Sequence, residues 1–284
     1  MFKEDKLKCL VIPDVHGRTF WKEPVRWVLD NLKDVPIVFL GDYTDPYVGE
    51  VDSVTNTTIK REDGITCLKE VIELKKQNSD RITLLIGNHD LGYLNKYICT
   101  CRRDRANEKV LTGLFKDNLS LFNLATEFEV AGKKFLFTHA GITTRWVKAW
   151  ETLVKDYGID SKISVDTLND VFHMEMAGNN EQSLVMALSY VSHYRGGYDN
   201  CSSLVWADIH DHLDIDSNDW ADEHGYIQVF GHTQLSEDPI SIDGKVFCLD
   251  VRRAFYIDKE GEIRSYNSDK KVKINIKISD DGKA

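Results

Sequence analysis

Five short segments of the sequence hold side chains that can bind metal ions and carry out acid–base chemistry. In chain order these side chains are Asp14, His16, Asp42, Asn88, His89, His139 and His232. Carboxylate, imidazole and amide oxygen donors together suit borderline or hard divalent ions such as Mn, Fe or Zn. An Asp can bridge two ions through its two oxygens, and two adjacent ions can clamp an in-line displacement at phosphorus. The set therefore predicts a binuclear site for phosphoryl chemistry, with one imidazole to spare.

Cleavage of a phosphate ester also requires a proton for the leaving oxygen. An imidazole that is not a metal ligand can supply this proton, and a nearby carboxylate can hold the ring and favour the imidazolium. His89 and the adjacent Asp90 are the candidates for this catalytic pair. For Asp90 the alternative is a turn or helix cap. Asp45 either supports the first-metal ligands from behind or ends a turn before Pro46.

Each segment follows a short apolar run rich in β-branched residues, at 10–12, 37–40, 83–86, 135–137 and 227–230. Runs of this kind predict strands buried on both faces. Helical periodicity at 21–32 and 63–76 predicts crossover helices, and therefore a β-α-β-α-β order with parallel strands. Open α/β sheets place their sites on the loops at the carboxyl ends of such strands. One convergent cluster of the polar side chains is expected.

Further along the chain, the pattern predicts a helix over 108–124 and a hairpin over 128–137 around Ala131-Gly132. Helical pieces are expected near 146–154, 165–176 and 183–190, and strands at 226–230, 245–250, 254–258 and 262–266. The polar stretch 47–60 reads as a loop long enough to approach the site. The tail alternates Lys with Val and Ile over 270–277, which suggests an edge strand guarded by lysines.

In their order and combination, the five segments resemble the calcineurin-like metallophosphoesterases, whose blocks are D-x-H, GD, GNHD/E, H and GH. More narrowly they resemble the phosphoprotein phosphatase branch, with its bacterial and phage Ser/Thr phosphatases and its symmetrical bis(5′-nucleosyl)-tetraphosphatases. The resemblance extends from about residue 7 to residue 257. It implies an α/β fold, a two-sheet sandwich with flanking helices and a variable helical cap. The expected domain is 1–267 with the cap at 144–225, followed by a tail or edge strand at 268–284.

Position by position, the resemblance assigns Asp14 and His16 to the first metal and makes Asp42 the bridging ligand. The second metal would be bound by Asn88, His139 and His232. His89 would be the general acid or a phosphate-contacting imidazole, and Asn88 would also contact the substrate. Gln234 stands where many metallophosphoesterases have a last His, and the phosphoprotein phosphatase branch also lacks that His. The implied reaction is hydrolysis by metal-bound hydroxide without a phosphoenzyme.

Pro46 departs from the branch, which usually has a phosphate-binding Arg at this position. The candidates for a substitute are Arg18, Arg102, Arg103, Arg195, Arg252 and Arg253. We favour Arg195, because the glycines that follow it place a guanidinium on flexible backbone shortly before the block Trp206-Ala207-Asp208. A guanidinium can bind phosphate through two parallel hydrogen bonds. For each candidate, a solvated surface position is the alternative.

The predicted activity is that of a metal-dependent phosphatase that hydrolyses phosphate monoesters, with Ser/Thr protein phosphatases as the preferred class. The alternatives are a dinucleoside polyphosphate or nucleotide hydrolase, and a phosphate-binding scaffold without turnover. The expected cofactors are two divalent metal ions, with Mn preferred and Fe or Zn as alternatives. A phosphorylated protein or a nucleotide is the expected partner, and the sequence leaves the oligomeric state open.

Composition indicates the size and the type of the protein, but it says little about the substrate. The chain has 284 residues with 42% hydrophobic content, enough for one large α/β domain or two small ones. Its net charge of −10 argues against a nucleic-acid surface, which would be basic. Neither a signal peptide nor a membrane span is expected.

The cysteines, and the histidines that lie outside the five segments, add further expectations. Cys9 and Cys248 lie in predicted buried strands, which favours reduced thiols and a cytoplasmic location. A metal or redox role for the pair Cys99-x-Cys101 is weak without a second such pair. The segment Ile209-His210-Asp211-His212 looks like a ligand pair, but its acidic, polar surroundings favour a solvated loop.

Overall fold

The computed structural model of the protein describes residues 5–95, 98, 100–156, 162–177, 185–214 and 216–278. The helices α1 to α8 are, in chain order, Lys22–Asn31, Glu62–Gln77, Asn88–Leu94, Glu108–Asp117, Thr144–Asp156, Val165–Ala177, Val185–Leu188 and Asp219–Glu223. The strands β1 to β11 are Leu7–Ile12, Ile37–Phe39, Ile82–Leu85, Phe122–Asn123, Ala125–Val130, Lys133–Thr138, Tyr226–Phe230, Ile240–Ile242, Val246–Cys248, Phe255–Asp258 and Ile263–Ser265. None of the helices in the described parts of the chain has the length and apolar character needed to cross a membrane.

The chain forms two compact units. Unit 1 comprises Met1–Phe122 with Arg252–Val272, and unit 2 comprises Asn123–Val251 with Lys273–Ala284. The strands form a six-stranded sheet and a five-stranded sheet, with helices between the strands. This arrangement confirms the predicted α/β class with two sheets and flanking helices. The domain boundary at residue 267 stays a prediction.

The six-stranded sheet has the order β11-β10-β1-β2-β3-β4. Strands β1, β2 and β3 are parallel neighbours, whereas β10 runs antiparallel to both β1 and β11. Nearly every residue of β1 and β2 is buried, which explains why their sequences show no polar alternation. Helices α1 and α2 lie between these strands in sequence and bury apolar faces that include Val25, Val28, Leu68 and Val71. The predicted β-α-β-α-β order is confirmed.

The five-stranded sheet has the order β5-β6-β7-β9-β8. Strands β5 and β6 form the predicted hairpin, and both turn residues, Ala131 and Gly132, have positive φ angles of 54° and 71°. Two such residues are typical of the turns that match the twist of a two-stranded hairpin. Strands β6, β7 and β9 are parallel, and β8 is antiparallel to β9. The three-residue strand β8 was not predicted, because it is too short to show a period.

The described part of the expected cap region, 144–225, contains helices α5 to α8 and belongs to unit 2. Helix α5 is held to α7 by a hydrogen bond of 2.8 Å from the Trp146 indole to the Ala187 carbonyl. Helix α6 is tied to β5 because the Asn169 amide accepts from Ala125 N–H and donates to Ala125 C=O. The start of the helical piece expected at 183–190 lies outside the described residues. Helix α8 was not predicted.

Two predicted elements differ from the structure. Helix α4 ends at Asp117 rather than continuing to 124. The Asn118 side chain donates a hydrogen bond to the Leu114 carbonyl, which is one of the backbone acceptors in the last turn of the helix. In the described part of the tail, Lys271 and Ile276 form isolated bridges instead of a continuous edge strand. Val272 is buried but Ile274 is 49% exposed, so the apolar side of the alternation is not covered along its length.

Candidate metal centre and active site

Three loops in unit 1 place polar side chains just past the carboxyl ends of parallel strands. Asp14 follows β1, Asp42 follows β2, and Asn88 follows β3, and all three side chains are buried. Asp42 has a φ of 54°, a left-handed conformation that residues other than Gly rarely adopt. A Cβ at Gly87 would lie 2.1 Å from Oδ1 of Asp42, so only a glycine lets these loops approach. The convergence predicted for these segments is present in unit 1.

His16 is oriented for binding through one particular ring nitrogen. Its Nδ1 lies 2.7 Å from the Thr44 carbonyl, which can only accept, so Nδ1 carries the proton. The other nitrogen, Nε2, lies 3.3 Å from Oδ2 of Asp42. Burial lowers the pKa of His16 and keeps the imidazole neutral near neutral pH. A neutral ring with its second N–H held by a carbonyl is the form in which His binds metals.

His16, Asp42 and His89 form a buried group whose candidate ligand atoms all lie within 4.8 Å of one another. Within the group, the Asp42 carboxylate and the neutral His16 imidazole are donors that suit Mn, Fe or Zn. Asp14 and Asn88, buried at the same sheet edge, add a carboxylate and an amide oxygen. The residues therefore fit the metal site that the sequence indicated, and they were all named from the sequence.

The carboxylate that holds His89 is Asp45. Nδ1 of His89 lies 2.7 Å from Oδ2 of Asp45, and the Asp45 side chain is completely buried. Burial lowers the pKa of His89, but the charge of Asp42 and hydrogen bonds to Asp45 and Cys101 raise it further, to about 10. The negative charges of Asp42 and Asp45 therefore favour the imidazolium, the form of the ring that can donate a proton. Neither of the two roles considered for Asp45 includes this contact, because His89 is not one of the ligands assigned to the first metal.

Asp90, the predicted partner of His89, instead fixes the backbone around the site. Its Oδ1 accepts from Tyr43 N–H and the Thr44 hydroxyl, each at 3.0 Å. Its Oδ2 accepts from Gly87 N–H at 3.1 Å, which caps helix α3. The capping role considered for Asp90 is the one that the structure shows, because a residue next to His89 at a helix start points towards the exposed N–H groups.

Arg102 and Tyr47 also contact the site, although Tyr47 was not named from the sequence as a site residue and Arg102 was not the favoured arginine. Nη2 of Arg102 lies 3.4 Å from Nε2 of His89, and its guanidinium lies 3.5 Å from the centre of the Tyr47 ring. Tyr47 meets the His16 ring edge to face, with ring centres 5.3 Å apart. Arg102 was one of six candidate arginines, and no local pattern distinguished it, because its position depends on the loop that follows α3.

Cys101 is a further side chain at the site. It is exposed and not in a disulfide. A hydrogen bond to His89 is the main cause that lowers the pKa of its thiol to about 7, and burial only partly opposes this effect. Part of the thiol is therefore thiolate near neutral pH. Cys99, the other half of the predicted pair, lies outside the described residues.

Unit 2 brings together the two remaining predicted ligands. His139 follows β6 and His232 follows β7, and these strands are parallel neighbours. Nε2 of His139 lies 3.2 Å from Nδ1 of His232, with ring centres 5.0 Å apart. Both side chains are buried, and His232 has a left-handed φ of 60°. The two predicted ligands of unit 2 therefore lie in contact with each other.

Arg195, the favoured phosphate-binding candidate, lies next to His232 in unit 2. Its guanidinium donates to the His232 carbonyl, and its Nε lies 3.1 Å from Oδ2 of Asp208. Asp208 also accepts from His210 N–H at 3.1 Å and caps the short helix Ile209–His212. Arg195 therefore supports the backbone of a predicted ligand, and its role with substrate stays a prediction.

The solvated loop predicted for Ile209–His212 is wrong for its last residue. His212 is fully buried, stacks on Phe230 with ring centres 4.9 Å apart, and bonds Asn218 through Nδ1 at 2.8 Å. Acidic neighbours in the sequence suggested exposure, but the short helix turns His212 inwards while His210 stays half exposed. Burial lowers the pKa of His212, so it serves as a neutral packing residue.

Comparison with solved structures shows a similar fold in known phosphatases. A cold-active protein-tyrosine phosphatase of a psychrophilic Shewanella species matches with a TM-score of 0.55 and 14% identity, covering 91% of this chain and 80% of that one. Another structure of a cold-active protein tyrosine phosphatase matches with a TM-score of 0.55 and 15% identity, covering 91% and 78%. No curated protein is significantly similar to the chain in sequence.

The sequence model of the calcineurin-like phosphoesterases matches residues 7–236, which is most of the chain. The match includes every predicted metal ligand and the pair formed by His89 and Asp45. It agrees with the family that the segments resemble. The chain belongs to the calcineurin-like phosphoesterase family.

Proposed function

We propose that the protein is a binuclear metal-dependent phosphatase that hydrolyses phosphate monoesters. The observation that carries this proposal is the buried group His16–Asp42–His89, in which one imidazole is set as a ligand and the other as a proton donor. Asp14, His16 and Asp42 would hold one ion. As the resemblance implies, Asn88, His139 and His232 would complete the ligand set for the second ion. Mn is the preferred metal, since the donors are oxygen and imidazole nitrogen atoms.

The proposed reaction breaks the P–O bond to the leaving group and forms a new P–O bond to water. When bound, the ions would supply Lewis acidity to the phosphate oxygens and to the attacking water. The chain itself supplies the proton for the leaving oxygen from the His89 imidazolium, and Asp45 holds that ring in place through Nδ1. Asn88, at the start of α3, would contact a phosphate oxygen as well as a metal.

For the substrate we propose phosphoserine or phosphothreonine in proteins, because the block Val205-Trp206-Ala207-Asp208 resembles that of the protein phosphatases. A dinucleoside polyphosphate is the second candidate, and one observation favours it. The guanidinium groups of Arg18, Arg102 and Arg252 all lie within 5.8 Å of the centre of the Tyr47 ring. A substrate with several phosphates could use more than one of these groups.

We also propose that the protein acts in the cytoplasm and does not bind nucleic acids. The cysteines that the structure describes, Cys9, Cys67, Cys101, Cys201 and Cys248, are free thiols, as expected in a reducing compartment. The net charge of −10 is unfavourable for a polyanionic surface partner.

The test is hydrolysis of p-nitrophenyl phosphate by the purified protein with Mn, followed by a panel of phosphopeptides, diadenosine polyphosphates and mononucleotides. We expect turnover that disappears in His89→Ala and Asp42→Asn. His224→Ala, which changes an exposed histidine, serves as the matched control. No turnover with any divalent metal would contradict the enzyme and favour a phosphate-binding scaffold. Preference for diadenosine polyphosphates over phosphopeptides would replace the proposed substrate by the second candidate.

A further inference from the structure

We propose that Arg102, positioned by Tyr47, is the guanidinium that binds the phosphate of the substrate. This inference rests on the proposed function, and it replaces Arg195 as the favoured candidate. It also assigns phosphate binding to the loop after α3, because Pro46 stands where the related phosphatases usually have a phosphate-binding Arg.

Arg102 lies beside the proton donor. Its Nη2 is 3.4 Å from Nε2 of His89, the ring nitrogen opposite the one held by Asp45. Its Nη1 donates to the Asp45 carbonyl at 2.5 Å. A phosphate whose ester oxygen takes the proton from Nε2 therefore lies within reach of the same guanidinium. Both groups would then act on one phosphoryl group, where they would stabilise the negative charge of the transition state.

The guanidinium is held in place before any ligand arrives. It stacks on the Tyr47 ring at 3.5 Å, a distance at which cation–π attraction is strong. The Arg102 backbone has a left-handed φ of 62°, which is unfavourable for a residue other than Gly. Strain of this kind persists where the surroundings fix a residue, and it is concentrated at functional sites.

Arg102 has a charge that the protein does not neutralise with a carboxylate. Arg18 pairs with Glu50 at 2.9 Å, Arg103 with Glu108 at 2.8 Å, and Arg195 with Asp208 at 3.1 Å. Within the described ranges, no carboxylate lies at ion-pair distance from the Arg102 guanidinium. An anionic ligand can therefore bind it without displacing a carboxylate, whereas Arg18, Arg103 and Arg195 would have to give up theirs.

A cavity of about 430 Å³ gives access to this group. Arg102 lines it together with Pro46, Tyr47, Val48, Glu50, Arg61 and Asp104. Arg61 is paired with Asp104 at 3.2 Å, and Glu50 is paired with Arg18 and Arg252. Arg102 is thus the one cation in the described lining without a carboxylate partner. The rest of the cavity has room for the group on the other side of the ester oxygen.

The test is binding of inorganic phosphate to the Mn-loaded protein by calorimetry, together with kcat and KM for p-nitrophenyl phosphate. Arg102→Ala should weaken phosphate binding and lower kcat/KM by roughly 10- to 100-fold, the effect of losing charge-assisted hydrogen bonds. Arg102→Lys should recover only part of the loss, and added guanidinium ion should partly rescue Arg102→Ala. Arg105→Ala, an exposed arginine of the same loop, is the matched control and should leave both quantities unchanged.

Variants of Tyr47 test whether the position of the Arg102 guanidinium matters as well as its charge. Tyr47→Phe keeps the ring beneath the guanidinium and should bind phosphate several-fold more tightly than Tyr47→Ala. Equal melting temperatures of the Arg102 variants and the wild type would show that the losses are not a folding defect. If Arg102→Ala binds phosphate as the wild type does, or if only Arg195→Ala loses binding, the inference is overturned. If the wild type does not hydrolyse p-nitrophenyl phosphate at all, the result would instead count against the proposed function.

Discussion

Nδ1 of His89 lies 2.7 Å from Oδ2 of Asp45, and the Asp45 carboxylate is fully buried. Tyr93 donates its hydroxyl to the other oxygen of Asp45, and Asp104 N–H lies 3.1 Å from that same oxygen. The carboxylate is thus held from one side while it orients an imidazolium on the other. This relationship makes Asp45, forty-four residues before His89, the positioning residue for the proposed proton donor.

Asp45→Asn is expected to lower kcat by roughly 100-fold, the lower end of what a positioned general acid contributes. The amide can no longer favour the charged ring, so the alkaline limb of the pH–rate profile, which follows deprotonation of the general acid, should also move to lower pH. Steady-state kinetics over a pH series measures both. Asp30→Asn, an exposed carboxylate on α1, provides the control. An unchanged pH profile in Asp45→Asn would show that Asp45 does not govern the proton on His89.

Asp90→Ala is expected to destabilise the fold rather than act on the proton transfer. The change leaves Tyr43 N–H and Gly87 N–H without their acceptor, at a cost of about 1 to 3 kcal/mol for each buried group. Chemical denaturation measures the free energy of unfolding. The pH–rate profile of the folded fraction should keep its shape, and a displaced profile would return Asp90 to the catalytic pair.

His16→Ala is expected to weaken Mn binding at least about 100-fold, since even the loss of a group behind a ligand costs about 10- to 100-fold. The Thr44 carbonyl fixes the ring so that Nε2 faces Asp42, and the variant removes that prepared donor. Metal content after dialysis and calorimetric titration both report the effect. His224→Ala should retain the wild-type affinity. Equal affinities in the two variants would exclude His16 from the ligand set.

Alkylation of Cys101 by iodoacetamide is expected to slow hydrolysis, because the added group would lie beside His89 and Arg102. Its rate should rise through pH of about 7, where the hydrogen bond to His89 holds the thiol pKa. Mass spectrometry identifies the modified residue, and Cys101→Ser should be resistant to inhibition. Cys9, Cys67 and Cys248 are buried and should react only after unfolding. Inhibition that persists in Cys101→Ser would place the sensitive thiol elsewhere.

Asp52 is expected to make stability fall in acid. Burial raises the pKa of Asp52, but hydrogen bonds from Thr55, Thr19 and Val54 lower it further, to about 2. Because the folded pKa lies below the unfolded value of 3.8, the stabilisation is fully present above about pH 4 and is lost as pH falls towards 2. Because solvent screens part of this interaction, the expected contribution to the free energy of unfolding is at most about 1 kcal/mol.

Unfolding free energies of the wild type and Asp52→Asn, measured from pH 6 to pH 2.5, test this linkage. The difference between the two free energies of unfolding should shrink with falling pH. A difference that stays constant would mean that the hydrogen bonds contribute without any change in protonation.

Asp52 also joins the 47–60 loop to Thr19 at 2.8 Å, so Asp52→Asn should loosen the loop that carries Tyr47 and raise KM.

The chemistry of the site could be predicted from the sequence because it depends on residue types and on strand ends. Asp14, Asp42 and Asn88 each follow a buried parallel strand, and parallel strands put their carboxyl ends at one sheet edge. The hairpin at Ala131-Gly132 and the crossover helices follow from turn chemistry and periodicity in the same local way. Short elements such as β8 and α8 contain too few residues to show a period, and they escaped prediction.

Only the tertiary structure decided which side chains meet. Neighbours in sequence suggested that Asp90 holds His89, but a helix start directs Asp90 to the backbone N–H groups, and Asp45 from another loop takes its place. Likewise, glycines near Arg195 suggested a mobile phosphate clamp, whereas Arg102 reaches His89 because it stacks on Tyr47. Residue types and the order of strands can be predicted from local sequence patterns. Contacts between loops depend on the path of the backbone in space, which local patterns do not determine.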